Sequence, residues 1–414
     1  MDILKEKKFL IQETDNKNYV FYNSVVHYAC RLDFVTLSIL NLIYKYKNLD
    51  YILERIDPKH HLLLKDIYTK VENSKMLSLE DATDKPDFFN SPQIPNQYYL
   101  HLTYKCNLGC TYCYNKDIRT HFESLDISDW FKIIDKIGHY AKHIVLTGGE
   151  PFLFENMGKL VNYIKSNYSD ISIEAISNCM HDFETGIFDN ILSRLNVISF
   201  SCDNLTNEKQ ERKNFKPERF IRNIKYIKDK HPQLHIGISS TFIKNSEGVL
   251  DELAQFAKSN DCRSTSILVI PNNESEKYLL PSVSDYKKRL NQYIPYNKLK
   301  VKKVFCGAGF GMCSIDPLGN VYPCQNMHYD IFHLGNLENT TIEDLFGTDK
   351  VKKKRSSLSV ENIPKCKECN IKYICGAGCR AASFRLEKNA LNYPETLCEY
   401  YRSEANSKLL NIPL

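Results

Sequence analysis

The chain has 414 residues, 43% of them hydrophobic and 25% charged, and a formal net charge of +5. That length supports two or three domains with real cores, and so mild a charge makes no case for nucleic acid. No apolar run approaches the roughly 18 to 20 residues of a membrane span, and Met1-Asp2-Ile3-Leu4-Lys5-Glu6-Lys7-Lys8 carries charge where a signal peptide needs an apolar stretch, so a cytoplasmic protein with no membrane partner is expected.

Residues 1–85 read as one small domain. Phe9-Leu10-Ile11 and Tyr19-Val20-Phe21-Tyr22 flank the polar stretch Asp15-Asn16-Lys17-Asn18, which predicts a β-hairpin. Apolar positions then recur at helical spacing: Leu37, Leu40 and Tyr44; Ile52, Leu53 and Ile56; Leu64, Ile67, Tyr68 and Val71. Asp57-Pro58 makes a cap and first-turn pair for the last of these helices, and Cys30 reads as a buried small apolar residue. A hairpin plus three short helices resembles the winged-helix module that binds leader peptides in modified-peptide pathways, the RiPP recognition element. That resemblance implies docking of a peptide along the hairpin edge by strand addition. A structural extension packed on the next domain fits the same pattern, since pattern alone does not establish function. Residues 86–97 fall in a Pro-, Asp-, Asn- and Ser-rich stretch and read as a linker.

Residues 98–295 alternate short apolar strands with amphipathic helices. Strands are predicted at Tyr98–Thr103, His143–Thr147, Ile171–Ser177, Asn196–Ser201, Leu234–Thr241 and Ser266–Ile270. Helical stripes between them include Phe131, Ile134 and Ile137; Leu160, Val161 and Ile164; Phe220, Ile221, Ile224 and Ile227; and Leu250, Leu253, Phe256 and Ala257. Six such units in succession imply an α/β fold with a parallel sheet, whose active site lies at the C-terminal strand ends.

The motifs fall at those ends. The first strand runs into Cys106, Cys110 and Cys113 at C-x3-C-x2-C spacing, among fifteen cysteines whose number in a cytoplasmic chain argues for metal or redox chemistry over disulfides. Three thiolates on a 4Fe–4S cluster leave one iron open; incidental thiols or part of a zinc site are the plainer readings. The second strand runs into Thr147-Gly148-Gly149-Glu150-Pro151. Paired glycines let the backbone approach a ligand closely, and the glutamate supplies an acceptor for an ammonium group.

Together the two motifs resemble the radical S-adenosylmethionine (SAM) enzymes, whose architecture is a partial (β/α)6 barrel. The resemblance implies that Cys106, Cys110 and Cys113 hold a 4Fe–4S cluster whose free iron chelates the amino and carboxylate groups of SAM. It places Tyr112 near the adenine and gives the methionine ammonium to Gly148, Gly149 and Glu150. Ser199-Phe200-Ser201-Cys202-Asp203, followed by Arg212, resembles the family's strand-four segment. There Ser201 would meet the ribose and Arg212 the SAM carboxylate; the alternative is loop polars with no ligand role. Ser177-Asn178 ends the third strand where relatives often carry Thr-Asn-Gly, with Cys179 in the glycine's place. Cys179, Cys202 and Cys262 lack partner spacing and read as structural.

Residues 271 to 303 are polar and bridge to a last domain, 296–414, that holds eight cysteines. Cys306, Cys313 and Cys324 come first, around a turn at Asp316-Pro317-Leu318-Gly319-Asn320. Cys366, Cys369, Cys375 and Cys379 follow at C-x2-C-x5-C-x3-C spacing, and Cys398 comes last. Zinc can use eight cysteines as two tetrahedral sites. Downstream of this barrel the array resembles the SPASM extension, which holds two auxiliary 4Fe–4S clusters. The family wiring assigns Cys306, Cys313, Cys324 and Cys379 to the first and Cys366, Cys369, Cys375 and Cys398 to the second. Some relatives lack the ligand at Cys313. The basic run Lys350-Val351-Lys352-Lys353-Lys354-Arg355 reads as a solvated face, with contact to an acidic peptide the minor reading.

The resemblance implies three 4Fe–4S clusters, SAM, and a reductant such as flavodoxin or ferredoxin. Its SPASM members oxidise peptides by two electrons, and the leader-binding-like domain points to a ribosomal precursor peptide carrying a leader. The expected activity is installation of an intramolecular thioether or carbon–carbon crosslink. Formylglycine formation, as in anaerobic sulfatase-maturing relatives, is the first alternative. Those relatives carry an aspartate base directly after the cysteine matching Cys324, where this chain has Gln325, an amide without basic function. A non-catalytic metal-cluster protein is the second.

Overall fold

The structure, a computed structural model, describes residues 3–14, 18–26, 28–80, 93–118, 123–206, 211–293, 306–389 and 395–410. The domain boundaries expected at 85 and 295, the hairpin-turn residues Asp15, Asn16 and Lys17, and most of the predicted linker lie outside these residues.

Near the N-terminus, β1 (Phe9–Glu13), β2 (Tyr19–Asn23) and β3 (Tyr28–Leu32) form an antiparallel sheet in that order. The third strand adds to the predicted hairpin, so β2 is paired on both sides and the open edges are β1 and β3. Helices Phe34–Tyr46, Leu49–Leu53 and His61–Ser74 follow, with Asp57 capping a 3-10 turn, Pro58–His60, that leads into the last. Phe9 and Phe21 pack against these helices, and Cys30 lies half-buried beside them. The unbroken apolar run Tyr19-Val20-Phe21-Tyr22 signals a strand covered on both faces. Val20 and Tyr22 accordingly point the other way, onto Ile371, Ile374, Ala405 and Leu409 of the C-terminal domain.

The barrel strands are β4 (Gln97–Thr103), β5 (Gly109–Cys110), β6 (His143–Gly148), β7 (Ser172–Ser177), β8 (Val197–Ser201), β9 (Arg212–Lys213), β10 (His235–Phe242) and β11 (Arg263–Leu268). β4, β6, β7, β8, β10 and β11 lie side by side, all parallel, each following the last in chain order. That is the partial (β/α)6 barrel, an open sheet with helices behind it. Its core holds Tyr98, Trp130, Phe200 and Phe220. Cys179 and Cys202 are fully buried there and Cys262 packs at its border. Cys179 adopts φ +64°, the left-handed conformation in which glycine is at ease.

The sheet does not stop at six strands. β12 (Met312–Ile315) pairs parallel to β4, and β13 (Asn320–Tyr322) and β14 (Gly335–Asn336) continue antiparallel, so the cysteine-rich domain extends the barrel's own sheet. Helices cover the remainder. The basic run lies on helix Asp349–Ser357, where Lys350 and Lys353 are exposed but the others are not all solvated. Arg355 is 1% exposed with its guanidinium 4.5 Å from the centre of the Phe310 ring, and Lys354 donates to the carbonyls of Ile331 and His333. Among the described residues no helix is long and apolar enough to cross a membrane.

Candidate active site and cysteine centres

A cavity of about 260 Å³ opens at the C-terminal ends of the barrel strands. Cys106, Cys110 and Cys113 share its wall with Tyr112, Gly148, Gly149, Asn178, Ser201 and Arg212. Donors aim at the sulfurs: Leu108 N lies 3.5 Å and Asn178 Nδ2 3.8 Å from Cys106 Sγ, and Arg212 Nη1 lies 3.8 Å from Cys110 Sγ. Hydrogen bonds to sulfur are what thiolate-ligated iron–sulfur clusters receive. Burial pushes the Cys110 thiol up to about 11, against the pull of Arg212. Three thiols converging on one cavity, with cationic and amide donors behind them, fit a cluster with one open iron.

The glycines line the cavity as expected and also hold the cysteine loop. A Cβ on Gly148, whose φ is +135°, would lie 2.2 Å from Thr103 O, and one on Gly149 would lie 2.1 Å from Lys105 O. Gly149 N and Glu150 N donate to those same two carbonyls at 2.7 and 2.8 Å. The pair therefore lets the end of β6 press against the backbone leading into the cysteine loop. Asn115 Nδ2 donates to Gly148 O at 2.9 Å, fastening the loop's far side.

Glu150 corrects an expectation. Its carboxylate is completely buried, lies off the cavity wall, and accepts from Ser177 Oγ at 2.9 Å and Asn178 N at 2.8 Å, with His181 Nε2 at 3.5 Å. It pins the end of β7 to the end of β6, which leaves the ammonium-acceptor role without support in this geometry.

Ser201 lies on the wall, and Arg212 does too, but in company. Asp203 Oδ2 is 2.9 Å from Arg212 Nε and Oδ1 is 3.2 Å from Nη2. Oδ1 also accepts from Thr241 N at 2.8 Å, and Oδ2 accepts the hydroxyl of Tyr112. One carboxylate thus joins the cysteine loop, the end of β10 and the arginine. Asp203 was visible at a strand end in the sequence, yet nothing there showed what it would meet.

In the C-terminal domain, Cys366, Cys369, Cys375 and Cys398 surround a cavity of about 100 Å³ together with Lys365 and Arg402. The N-terminal sheet packs directly over this group. Cys306 and Cys324 hydrogen-bond to each other, which together with burial raises the Cys324 thiol well above its ordinary value, and Cys379 lies in electrostatic reach of both. Cys313 is not among them. It pairs with Tyr98 across β12 and β4 and is buried in the barrel core, while the next pair, Ser314 and Tyr99, faces the Cys306 and Cys324 side. Side chains alternate along a strand, so the structure removes Cys313 from the first auxiliary set. Among the described residues no three His, Cys, Asp or Glu side chains close on a point as ligands of a single metal ion. The four- and three-thiol groups fit clusters, which spread their ligands around a volume.

Comparison with known proteins agrees with this geometry. The radical SAM superfamily matches residues 100–257 and SPASM, an iron–sulfur cluster-binding domain, matches residues 306–370. The antilisterial bacteriocin subtilosin biosynthesis protein AlbA of Bacillus subtilis is 21% identical over 364 residues, covering 82% of this chain and 79% of that protein. A cysteine-type anaerobic sulfatase-maturating enzyme of Clostridium novyi is 24% identical over 347 residues, 72% of this chain and 91% of that one. In fold, Streptococcus suis SuiB bound to its precursor peptide SuiA superposes with a TM-score of 0.61 at 16% identity, covering 95% of this chain and 99% of that chain. The sulfatase-maturating enzyme anSMEcpe with bound AdoMet gives 0.60 at 18% identity, covering 77% and 99%. The chain thus carries a radical SAM domain over residues 100–257, whose sheet runs on into a SPASM iron–sulfur cluster-binding domain over residues 306–370.

Proposed function

We propose that this enzyme matures a ribosomally made precursor peptide, installing an intramolecular thioether or carbon–carbon crosslink by two-electron oxidation. The observation that carries the reading is the N-terminal sheet-and-helix domain docked on the SPASM domain beside Cys369 and Cys375. It matters because the fold likeness to a peptide-bound SPASM enzyme spans 95% of the chain, whereas the likeness to the sulfatase-maturating structure spans 77%. AlbA and the sporulation killing factor maturation protein SkfB, 31% identical over 81 residues, are bacteriocin- and killing-factor-related by name.

In this reading Cys106, Cys110 and Cys113 hold the SAM-binding cluster, and Cys366, Cys369, Cys375 and Cys398 hold one auxiliary cluster. Cys306, Cys324 and Cys379 hold the other, making three. Loaded with reduced cluster and SAM, the site supplies hydrogen-atom abstraction from a substrate carbon. The protein's own part is positional. Asp203, held by Arg212 and Thr241, orients Tyr112 and the cysteine loop. Leu268, Val269 and Ile270 give the cavity an apolar side that excludes water. Gln325 and Asn326 bring the SPASM domain to the same cavity. Gln325 offers no base there, which disfavours formylglycine chemistry. The leader would dock along an open edge of the N-terminal sheet, β1 or β3, by strand addition. The electron donor would be a flavodoxin or ferredoxin.

The test is mass spectrometry of a short peptide encoded beside this gene, after anaerobic incubation with enzyme, SAM and reductant. A loss of about two hydrogens per crosslink is expected. An unchanged mass refutes the reading, as does a peptide that has lost two hydrogens but reacts with a hydrazine as an aldehyde, or one in which a cysteine sulfur has been exchanged for oxygen, since either marks formylglycine.

A further inference from the structure

Arg385 lies on helix Arg380–Glu387, which starts directly after Cys379. It is 2% exposed and stands between the core and first auxiliary cysteines, on the wall of the active-site cavity. Its Nη2 donates to Tyr114 O at 3.5 Å, next to Cys113, and to Asn326 O at 3.2 Å, two residues past Cys324. Its Nε donates to the Tyr329 hydroxyl at 3.1 Å. Among the described residues the enclosed Nη1 has no hydrogen-bond partner and no carboxylate forms an ion pair with this guanidinium. Arg212, the corresponding cation at the core site, has Asp203.

Three neutral acceptors do not compensate a buried charge; an anion is required. The Cys379 sulfur lies within electrostatic reach of Arg385, and an iron–sulfur cluster on cysteine thiolates is net anionic. We propose that Arg385 is the buried counter-charge of the first auxiliary cluster, the one on Cys306, Cys324 and Cys379, and that it raises that cluster's reduction potential. One-electron reduction adds a negative charge to the cluster, and a guanidinium held nearby in low dielectric favours the reduced state. The inference rests on the reading that these cysteines carry a cluster, but not on which bond the enzyme makes.

The experiment is a potentiometric titration followed by electron paramagnetic resonance on the full-length, anaerobically reconstituted protein. Cys324→Ala identifies the first auxiliary signal by its loss. Arg385→Gln should move that signal to more negative potential and leave the other two in place, and Arg385→Lys should restore most of the shift. Tyr329→Phe, which frees the guanidinium without removing its charge, should give a smaller shift in the same direction. Peptide turnover should fall further than 5′-deoxyadenosine formation in Arg385→Gln. Unmoved potentials in both Arg385→Gln and Tyr329→Phe overturn the proposal, as does a raised peptide KM with potentials unchanged, which would make Arg385 a ligand for a substrate carboxylate. Wild-type protein with no signal that Cys324→Ala removes refutes the cluster assignment itself.

Discussion

Asp203 and Arg212 form an ion pair at the mouth of the barrel, with Nε 2.9 Å from Oδ2 and side chains 9% and 12% exposed. The pair does more than neutralise itself, because the same carboxylate takes Tyr112 from the cysteine loop and Thr241 from β10. Asp203→Asn keeps the shape and removes the charge, leaving Arg212 uncompensated beside Cys110. Breaking such a pair costs about 3–5 kcal/mol, and loss of an outer partner of a metal site lowers affinity or activity roughly ten- to a hundredfold. Both the melting temperature and SAM binding, measured by equilibrium dialysis on reconstituted protein, should fall. Wild-type SAM affinity in Asp203→Asn would show that the pair is purely structural.

Gly149→Ala tests the packing of β6 under the cysteine loop. A methyl group 2.1 Å from Lys105 O meets backbone, which cannot swing aside. The cysteine loop must therefore lift, and the core cluster should be lost while the auxiliary clusters remain. Iron per chain should drop by roughly a third, as expected for one cluster of three, with 5′-deoxyadenosine formation abolished.

Cys313 and Cys324 should behave in opposite ways. Cys324→Ala is expected to remove the first auxiliary cluster. Cys313→Ala deletes a buried sulfur from the core and should cost on the order of 1 kcal/mol of stability while leaving iron content intact. Equal iron loss in the two variants would return Cys313 to the ligand set.

His101, wholly buried on β4 with neither ring nitrogen hydrogen-bonded among the described residues and 4.3 Å from the His328 ring centre, has its pKa pulled down to about 3 by burial. The unfolded chain binds that proton near pH 6.5, so between the two values acid favours unfolding. The stability associated with neutral His101 is complete above about pH 6.5 and falls by roughly 1.4 kcal/mol per pH unit as pH drops toward 3. Urea melts at pH 7 and pH 5 should show a smaller loss in His101→Phe than in wild type. A slope remains from His328, whose pKa is also well below its ordinary value through burial and the His101 neighbour. Equal losses in the two proteins would contradict the assignment.

Strand and helix periodicity placed the five inner parallel strands, whose buried apolar positions run together or alternate and end at turn residues, whereas β11, exposed along residues 263–267, begins three residues before the expected Ser266. The motifs were legible for the same reason, since each closes a strand. What periodicity does not carry is which neighbour a side chain meets. Cys313 looked like a ligand by spacing, but Met312-Cys313-Ser314-Ile315 is a strand, and alternation turns its sulfur to the core while Ser314 faces His328. Glu150 looked like a ligand acceptor until β7 delivered Ser177 and Asn178 to it. Arg355 sits in a run that reads as a solvated face, and packing against Phe310 and Phe346 buries it.

In the proposed function Cys106, Cys110 and Cys113 carry the cluster that cleaves SAM, and every later step follows from that cleavage. The measurement is 5′-deoxyadenosine formed by reconstituted protein given dithionite and SAM, compared across wild type, Cys106→Ala and Cys366→Ala. The wild type and Cys366→Ala should make it and Cys106→Ala should not. Product from Cys106→Ala at the wild-type rate, or none from wild-type protein with a full iron complement, would contradict it.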